Sequence, residues 1–337
     1  MTHHRVAAGS RSCQGFSLIE LMVSMIIGLI ISIAAVSAYL SASGASRMAE
    51  AQGRMNEDAQ AALTILTQQL RMAGNNPDQV NRIDNDDPTL SSRHNPVYLP
   101  MPTSPGFTTT FALTAFGIRG CDGVFSNITA APALDQLLCA PDDAQPDSIA
   151  VSYEADTFNT VPTPGNLPTD CLGIPLTSNT AFLPTLASSA AVNATVTYAV
   201  ADNRFYIGTS AAIPSLYCKG NGINSTPQAL VENIEDIQFT YGTVSALTPN
   251  ETLTIAPVAG YLSANEITSL AALTDAERWA KVITVRICVL VRSEGLVAPN
   301  SASAQYRKCD GTLEAAPPDL RLRRAYSTTV VLRNRRL

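Results

Sequence analysis

The order of apolar and polar residues changes character three times along the chain. From Phe16 to Tyr39 it is apolar on every side, and Glu20 is the one acidic or basic side chain in the run. A helix over that run is roughly 36 Å long, enough to cross a ~30 Å hydrocarbon core. Further on the pattern becomes amphipathic. Met48, Ala51, Met55, Ala59, Ala62, Leu66, Leu70 and Ala73 recur at steps of three and four, with Arg, Glu, Gln and Asp between them. Gly74-Asn75-Asn76-Pro77 then supplies a glycine end with a proline behind it. The pattern predicts one helix over 16–73, transmembrane over 16–39 and amphipathic beyond, which suits a stalk carrying a globular head.

Residues 74–147 are rich in Pro, Asp, Asn, Thr and Gly and weak in periodicity, a long loop region. From 148 to 337 the period shortens to two and predicts a β-rich head. Ser148-Ile149-Ala150-Val151-Ser152-Tyr153 places Ile149, Val151 and Tyr153 on one face. The stretch 195–208 reads as a hairpin turning at Ala201-Asp202-Asn203, and 282–293 and 325–334 read as two further strands. Residues 274–281 read as a short helix opened by Thr274 or Asp275. One long helix followed by an antiparallel sheet is an α+β arrangement.

Glu20 needs an explanation. A charge inside a membrane span costs at least ~2.5–3.5 kcal/mol and calls for a partner. Ser17, Glu20, Ser24, Gly28, Ser32 and Ala35 fall within about 120° of one another on a helix, a single stripe of small or polar groups. Such stripes let helices approach closely in lipid, so Ser17, Ser24, Gly28 and Ser32 are candidate helix-packing residues. A secretory signal would fit the start in part, with Val36-Ser37-Ala38 as a small-residue cleavage site, but the apolar run exceeds the usual 7–15 residues. An uncleaved anchor would leave Glu20 unpaired.

Gly15-Phe16-Ser17-Leu18-Ile19-Glu20 resembles the processing site of type IV prepilins and type II secretion pseudopilins. The resemblance implies that a prepilin peptidase removes residues 1–15, cutting between Gly15 and Phe16, and that the new amine of Phe16 is methylated. It implies that Glu20 faces the terminal amine of a neighbouring subunit. No proline lies between Phe16 and Ala73; many major pilins carry one where Ser37 stands here, so the helix melting associated with it does not carry over. The segments 230–242, 282–293 and 326–334 resemble the head of the PilW family of minor pilins, related to the J-type minor pseudopilin of type II secretion. A member of that family is a low-abundance structural subunit with a pilin-like fold. It helps to prime assembly in a complex near the filament tip, with other minor pilins, the major pilin and a large tip adhesin as partners. Its head is periplasmic while the chain is in the inner membrane, and extracellular on the pilus.

Composition narrows the alternatives. The chain has 337 residues and a net charge of −6. Removing residues 1–15 takes away Arg5 and Arg11 and no acid, so the remainder is more acidic still, which argues against a basic nucleic-acid-binding surface. The six arginines 321, 323, 324, 333, 335 and 336, with no acid among residues 321–337, keep a phosphate-binding reading open. A membrane-tethered DNA-uptake protein is therefore an alternative, as is a J-type pseudopilin. Cys13 precedes the cut; Cys121, Cys139, Cys171, Cys218, Cys288 and Cys309 form an even set. Six cysteines allow fifteen pairings, and sequence selects none; neighbour pairing is the expectation because each pair closes a local loop. The absence of CxxC spacing favours structural disulfides over zinc.

No catalytic residue, cofactor or metal is expected. Outside the leader the one histidine is His94, and no GxSxG, Walker, GxGxxG or HExxH pattern occurs. The acidic stretches 82–88 and 141–147 lack the DxDxDG spacing of a calcium loop.

Overall fold

The structure, a computed structural model, describes residues 17–75, 117–128, 137–141, 145–184, 193–244, 258–271, 273 and 275–334. Gly15, Phe16, His94, the 82–88 stretch, Thr274, Arg335 and Arg336 lie outside the described residues. The chain divides into two compact units, Met1–Glu50 and Ala51–Leu337.

Helix α1 runs Leu18–Met72, 55 residues. Within the first unit its large apolar side chains from Leu18 to Leu40 are all exposed, as lipid or another helix requires. The serine hydroxyls there are satisfied by their own helix. Ser24 Oγ donates to Leu21 O at 2.9 Å and Ser32 Oγ to Gly28 O at 2.8 Å, so a polar stripe runs along the helix without unpaired hydroxyls.

In the second unit the last turns of α1 bury Met55, Ala59, Ala62, Leu66 and Leu70, at the 3- and 4-residue steps of the sequence pattern. They join one core with the inner faces of two antiparallel sheets. The first sheet has the order β1 (Ile118–Cys121), β2 (Ser148–Ala155), β4 (Asn193–Ser210), β5 (Ile213–Lys219), β6 (Gln228–Glu232), with β3 (Ser178–Pro184) also on β4. The second has the order β12 (Arg321–Val331), β9 (Val282–Leu296), β7 (Ile234–Thr243), β8 (Gly260–Leu262). Asn233, at φ 62°, turns the chain from β6 into β7 and so from one sheet into the other; asparagine tolerates that left-handed conformation better than most residues.

Polar bonds fix the helix to both sheets. Gln69 Oε1 accepts from Asn203 Nδ2 at 2.8 Å and from the Tyr153 hydroxyl at 3.4 Å in the first sheet. On the second, Tyr326 donates to Asn56 Oδ1 at 2.6 Å and Asn334 Nδ2 to Arg71 O at 2.7 Å. Gly74 N–H donates to Ser152 O at 2.9 Å, docking the helix end on β2.

The 195–208 stretch is not a hairpin. It lies inside the single 18-residue strand β4, and Ala201-Asp202-Asn203 pairs in register with Tyr153-Ser152-Val151 of β2. The residues that suggested a turn are polar for internal reasons. Asp202 is held by Arg204, Nη2 to Oδ2 at 2.7 Å, and Asn203 reaches Gln69, Tyr153 and the Cys171 N–H. The turn comes later, at Ala211-Ala212 between the paired Ser210 and Ile213.

Other elements differ in extent. All eight residues of β2 are buried, so both its faces are covered, not Ile149, Val151 and Tyr153 alone. Strand β1 lies within 74–147, read above as loop; its four residues are buried and lack alternation. Helix α3 is Asp275–Ala280. A further short helix, α2 (Ala264–Thr268), starts from a capping box in which Ser263 Oγ accepts from Glu266 N–H and Glu266 accepts from Ser263 N–H.

Three disulfides brace the head: Cys121–Cys139, Cys171–Cys218 and Cys288–Cys309, separated by 18, 47 and 21 residues. The last ties the centre of β9 to the connection between β10 (Tyr306–Arg307) and β11 (Leu313–Glu314).

Candidate assembly site on the N-terminal helix

The site is built on the first turn of α1. Ser17 precedes the helix and Glu20 is its third residue, so Ser-Leu-Ile-Glu is the S-x-x-E of a capping box, a signal that the sequence reading passed over. The geometry is that of the motif. Glu20 N–H donates to Ser17 Oγ at 3.3 Å. In return Glu20 Oε2 accepts the Ser17 N–H at 2.9 Å and the Ser17 hydroxyl at 3.0 Å. The carboxylate thus stands at the positive end of the helix dipole and satisfies the Ser17 N–H, while the Ser17 hydroxyl satisfies the Glu20 N–H, two donors that the helix leaves unpaired.

Both bonds that the carboxylate accepts use one oxygen, Oε2. Among the described residues nothing donates to Oε1, and the carboxyl is fully exposed beside Ile19, Val23, Ser24 and Ile27, which line a shallow groove with it. Ser17, Ser24 and Ser32 are exposed on the same helix, and nothing lies within 4 Å of a Cβ placed on Gly28. The arrangement can do two things at once. It caps its own helix through Oε2 and leaves one carboxylate oxygen, in apolar surroundings, able to take a cation.

The C-terminal arginines are used differently. The buried Arg323 fork grips Glu235 with Nε to Oε2 at 2.6 Å and Nη2 to Oε1 at 2.9 Å, and its Nη1 reaches Asp319 at 2.7 Å. The hydrogen bond from Arg323 holds the Asp319 carboxyl below its usual range. Arg321 also reaches Asp319, at 3.4 Å. Two of the six cations are therefore committed inside the head, which removes them from any phosphate grip. Arg324 and Arg333 are exposed.

In the acidic stretch 141–147, Asp147 is buried. It accepts N–H groups of Gly123 at 3.2 Å and Phe239 at 2.7 Å, joining the loop after β1 to β7. Among the described residues no group of three or more His, Cys, Asp and Glu converges on a point.

Two family models match the chain. One, described as Type IV Pilus-assembly protein W, covers residues 204–334, from the second half of β4 through β12. The other, the prokaryotic N-terminal methylation motif, covers residues 10–36 and so contains Gly15, Phe16 and Glu20. No curated protein and no solved structure matches. Over residues 204–334 the chain is similar to the PilW family of type IV pilus-assembly proteins and over 10–36 to the N-terminal methylation motif, and a long apolar helix with an antiparallel, disulfide-braced head is a pilin-like architecture.

Proposed function

We propose that this protein is a structural subunit that primes type IV pilus assembly from the inner membrane and takes a place in a complex near the filament tip. Prepilin peptidase cuts between Gly15 and Phe16, and the amine of Phe16 is methylated. Residues 16–39 hold the processed chain in the membrane with its head in the periplasm, until assembly carries it outward. The partners are other minor pilins, the major pilin and a large tip adhesin.

The observation that carries this reading is the half-used carboxylate of Glu20. An anion in hydrocarbon has no water to complete its solvation, and the amine of an adjacent subunit supplies the missing donor where the attraction is little screened. The stripe of Ser24, Gly28 and Ser32 below it gives the neighbouring helix room to approach. Replacing Glu20 by Ala should leave processing and head folding intact and lower pilus number several-fold, scored by sheared-pilus yield. Normal piliation in that variant would sink the role of Glu20. A subunit that keeps this glutamate has a use for a subunit above it, so the chain is placed below the outermost position.

A further inference from the structure

We propose that the outer edge of β12 is a strand-addition site for an extended segment of another protein chain, uncharged in its middle and acidic at both ends. The proposal rests on the reading above only in that this subunit meets other chains; it makes no use of Glu20.

The backbone carries the first part. β12 is the end strand of its sheet, with β9 on one side and no described strand on the other. Leu332 N–H donates to Ile283 O at 2.8 Å, and the register runs without a break from Arg323↔Arg292 to Val331↔Thr284. In an antiparallel ladder, residues two apart share a phase, so Tyr326, Thr328 and Val330 also turn their N–H and C=O groups towards β9. Ala325, Ser327, Thr329 and Val331 turn theirs away. Among the described residues these four find no backbone partner on that side. They repeat at about 6.8 Å, the spacing of an incoming strand.

The side chains carry the second. Edge strands are normally blunted by a charge, a proline or a bulge. Residues 325–331, Ala-Tyr-Ser-Thr-Thr-Val-Val, hold no charge and no proline, and the one irregularity of the pairing lies outside them, between Arg321 and Arg323. Ser327, Thr329 and Val331 are exposed. Such a β-prone edge gives main-chain affinity to an added strand, with specificity left to its side chains.

Charge selects the occupant. The exposed Arg324 stands at one end of the open segment and the exposed Arg333 just beyond the other, and neither has an acidic partner among the described residues. A second copy added antiparallel about Thr328 would set Arg333 opposite Arg323, whose charge Glu235 and Asp319 already meet, and would bring an acid to neither Arg324 nor Arg333. A second copy added parallel and in register would set Arg324 beside Arg324. The parallel pairing places like charges across the strands, which is destabilising, and neither pairing supplies an acid to the exposed arginines. A different chain with an acid at each end meets a cation at each end instead.

The test uses the full-length protein in its own cells, with the photo-crosslinking residue p-benzoylphenylalanine in place of Thr329. The expected result is an adduct to one defined segment of a different chain, with acids flanking an uncharged middle. Ser327→Pro removes an outward-facing donor and none that bonds to β9, and it should abolish the adduct. The pair Arg324→Glu and Arg333→Glu leaves the strand sequence intact and should lower the adduct roughly tenfold. Retention of the Cys288–Cys309 disulfide reports folding in each case, and the charge reversal decides if the proline variant fails that check. No adduct, an adduct to a second copy or to this chain itself, or one indifferent to both variants would overturn the proposal. Processing is read in the same samples: an unprocessed chain that still gives the adduct would overturn the pilin reading and leave the edge standing.

Discussion

Glu20 and Asp147 are carboxylates in apolar settings, and their uses differ. Glu20 has one oxygen in its helix cap and one to offer. Asp147 has both oxygens on backbone N–H groups, yet burial outweighs those bonds and pushes its carboxyl up to about 7. An unfolded aspartate titrates near ~3.9. Between those two values the native chain holds more protons at this site than the unfolded chain does. Its contribution to stability is therefore greatest below pH ~4, falls as pH rises through the window and levels off above about 7. Burial raises Asp202 and Asp236 in the same direction. Thermal unfolding of the purified head should have a higher midpoint at pH 5 than at pH 7.5, and Asp147→Asn should shrink that difference. An unchanged difference in the variant would show that Asp147 does not carry it. Sequence alone marked Asp147 only as part of an acidic stretch, because its role depends on the 92-residue separation from Phe239.

At the scale of elements, the helix was legible because its signals are local. The 3–4 spacing from Met55 to Leu70 and the glycine–proline stop are readable without any partner, and the observed Leu18–Met72 lies within the expected 16–73. Strand β4 was misread for the complementary reason. Asp202 and Asn203 look like turn formers until Arg204, two residues on in the same strand, and Gln69 and Tyr153 from other elements satisfy them. The true turn carries the wrong residues for its geometry. Ala211 and Ala212 sit at φ 50° and 64°, in a two-residue hairpin loop that favours Asn-Gly. The turn holds partly because Arg292 Nη2 donates to Ala212 O at 3.0 Å. Replacing Ala211 by Asn and Ala212 by Gly should stabilise the head by about 1–2 kcal/mol, a part of the ~1–2 kcal/mol that each left-handed alanine costs. Denaturant unfolding measures it; no gain would mean the left-handed pair carries no strain.

For the whole molecule, the α+β class followed from one long periodic run and a change of period, both visible along the chain. The division of the strands between two sheets was not visible, since it turns on Asn233, one residue between β6 and β7. The C-terminal arginines show the same limit. Their clustering is plain in the sequence, whereas the commitment of Arg321 and Arg323 to Asp319 and Glu235 needed the folded head. The candidate assembly site falls between these cases: Glu20 stands out in the sequence as an acid in an apolar run, whereas its bond to Ser17 does not, although S-x-x-E is itself a local signal. The reading of this chain as a processed pilin with a disulfide-braced head is tested most directly by its intact mass after extraction from membranes, before and after reduction and alkylation. The account predicts a chain that begins at Phe16, heavier by one methyl group, with Cys121, Cys139, Cys171, Cys218, Cys288 and Cys309 alkylated only after reduction. A chain that begins at Met1 or at Tyr39 would contradict it, because Glu20 would then have no processed amine to meet.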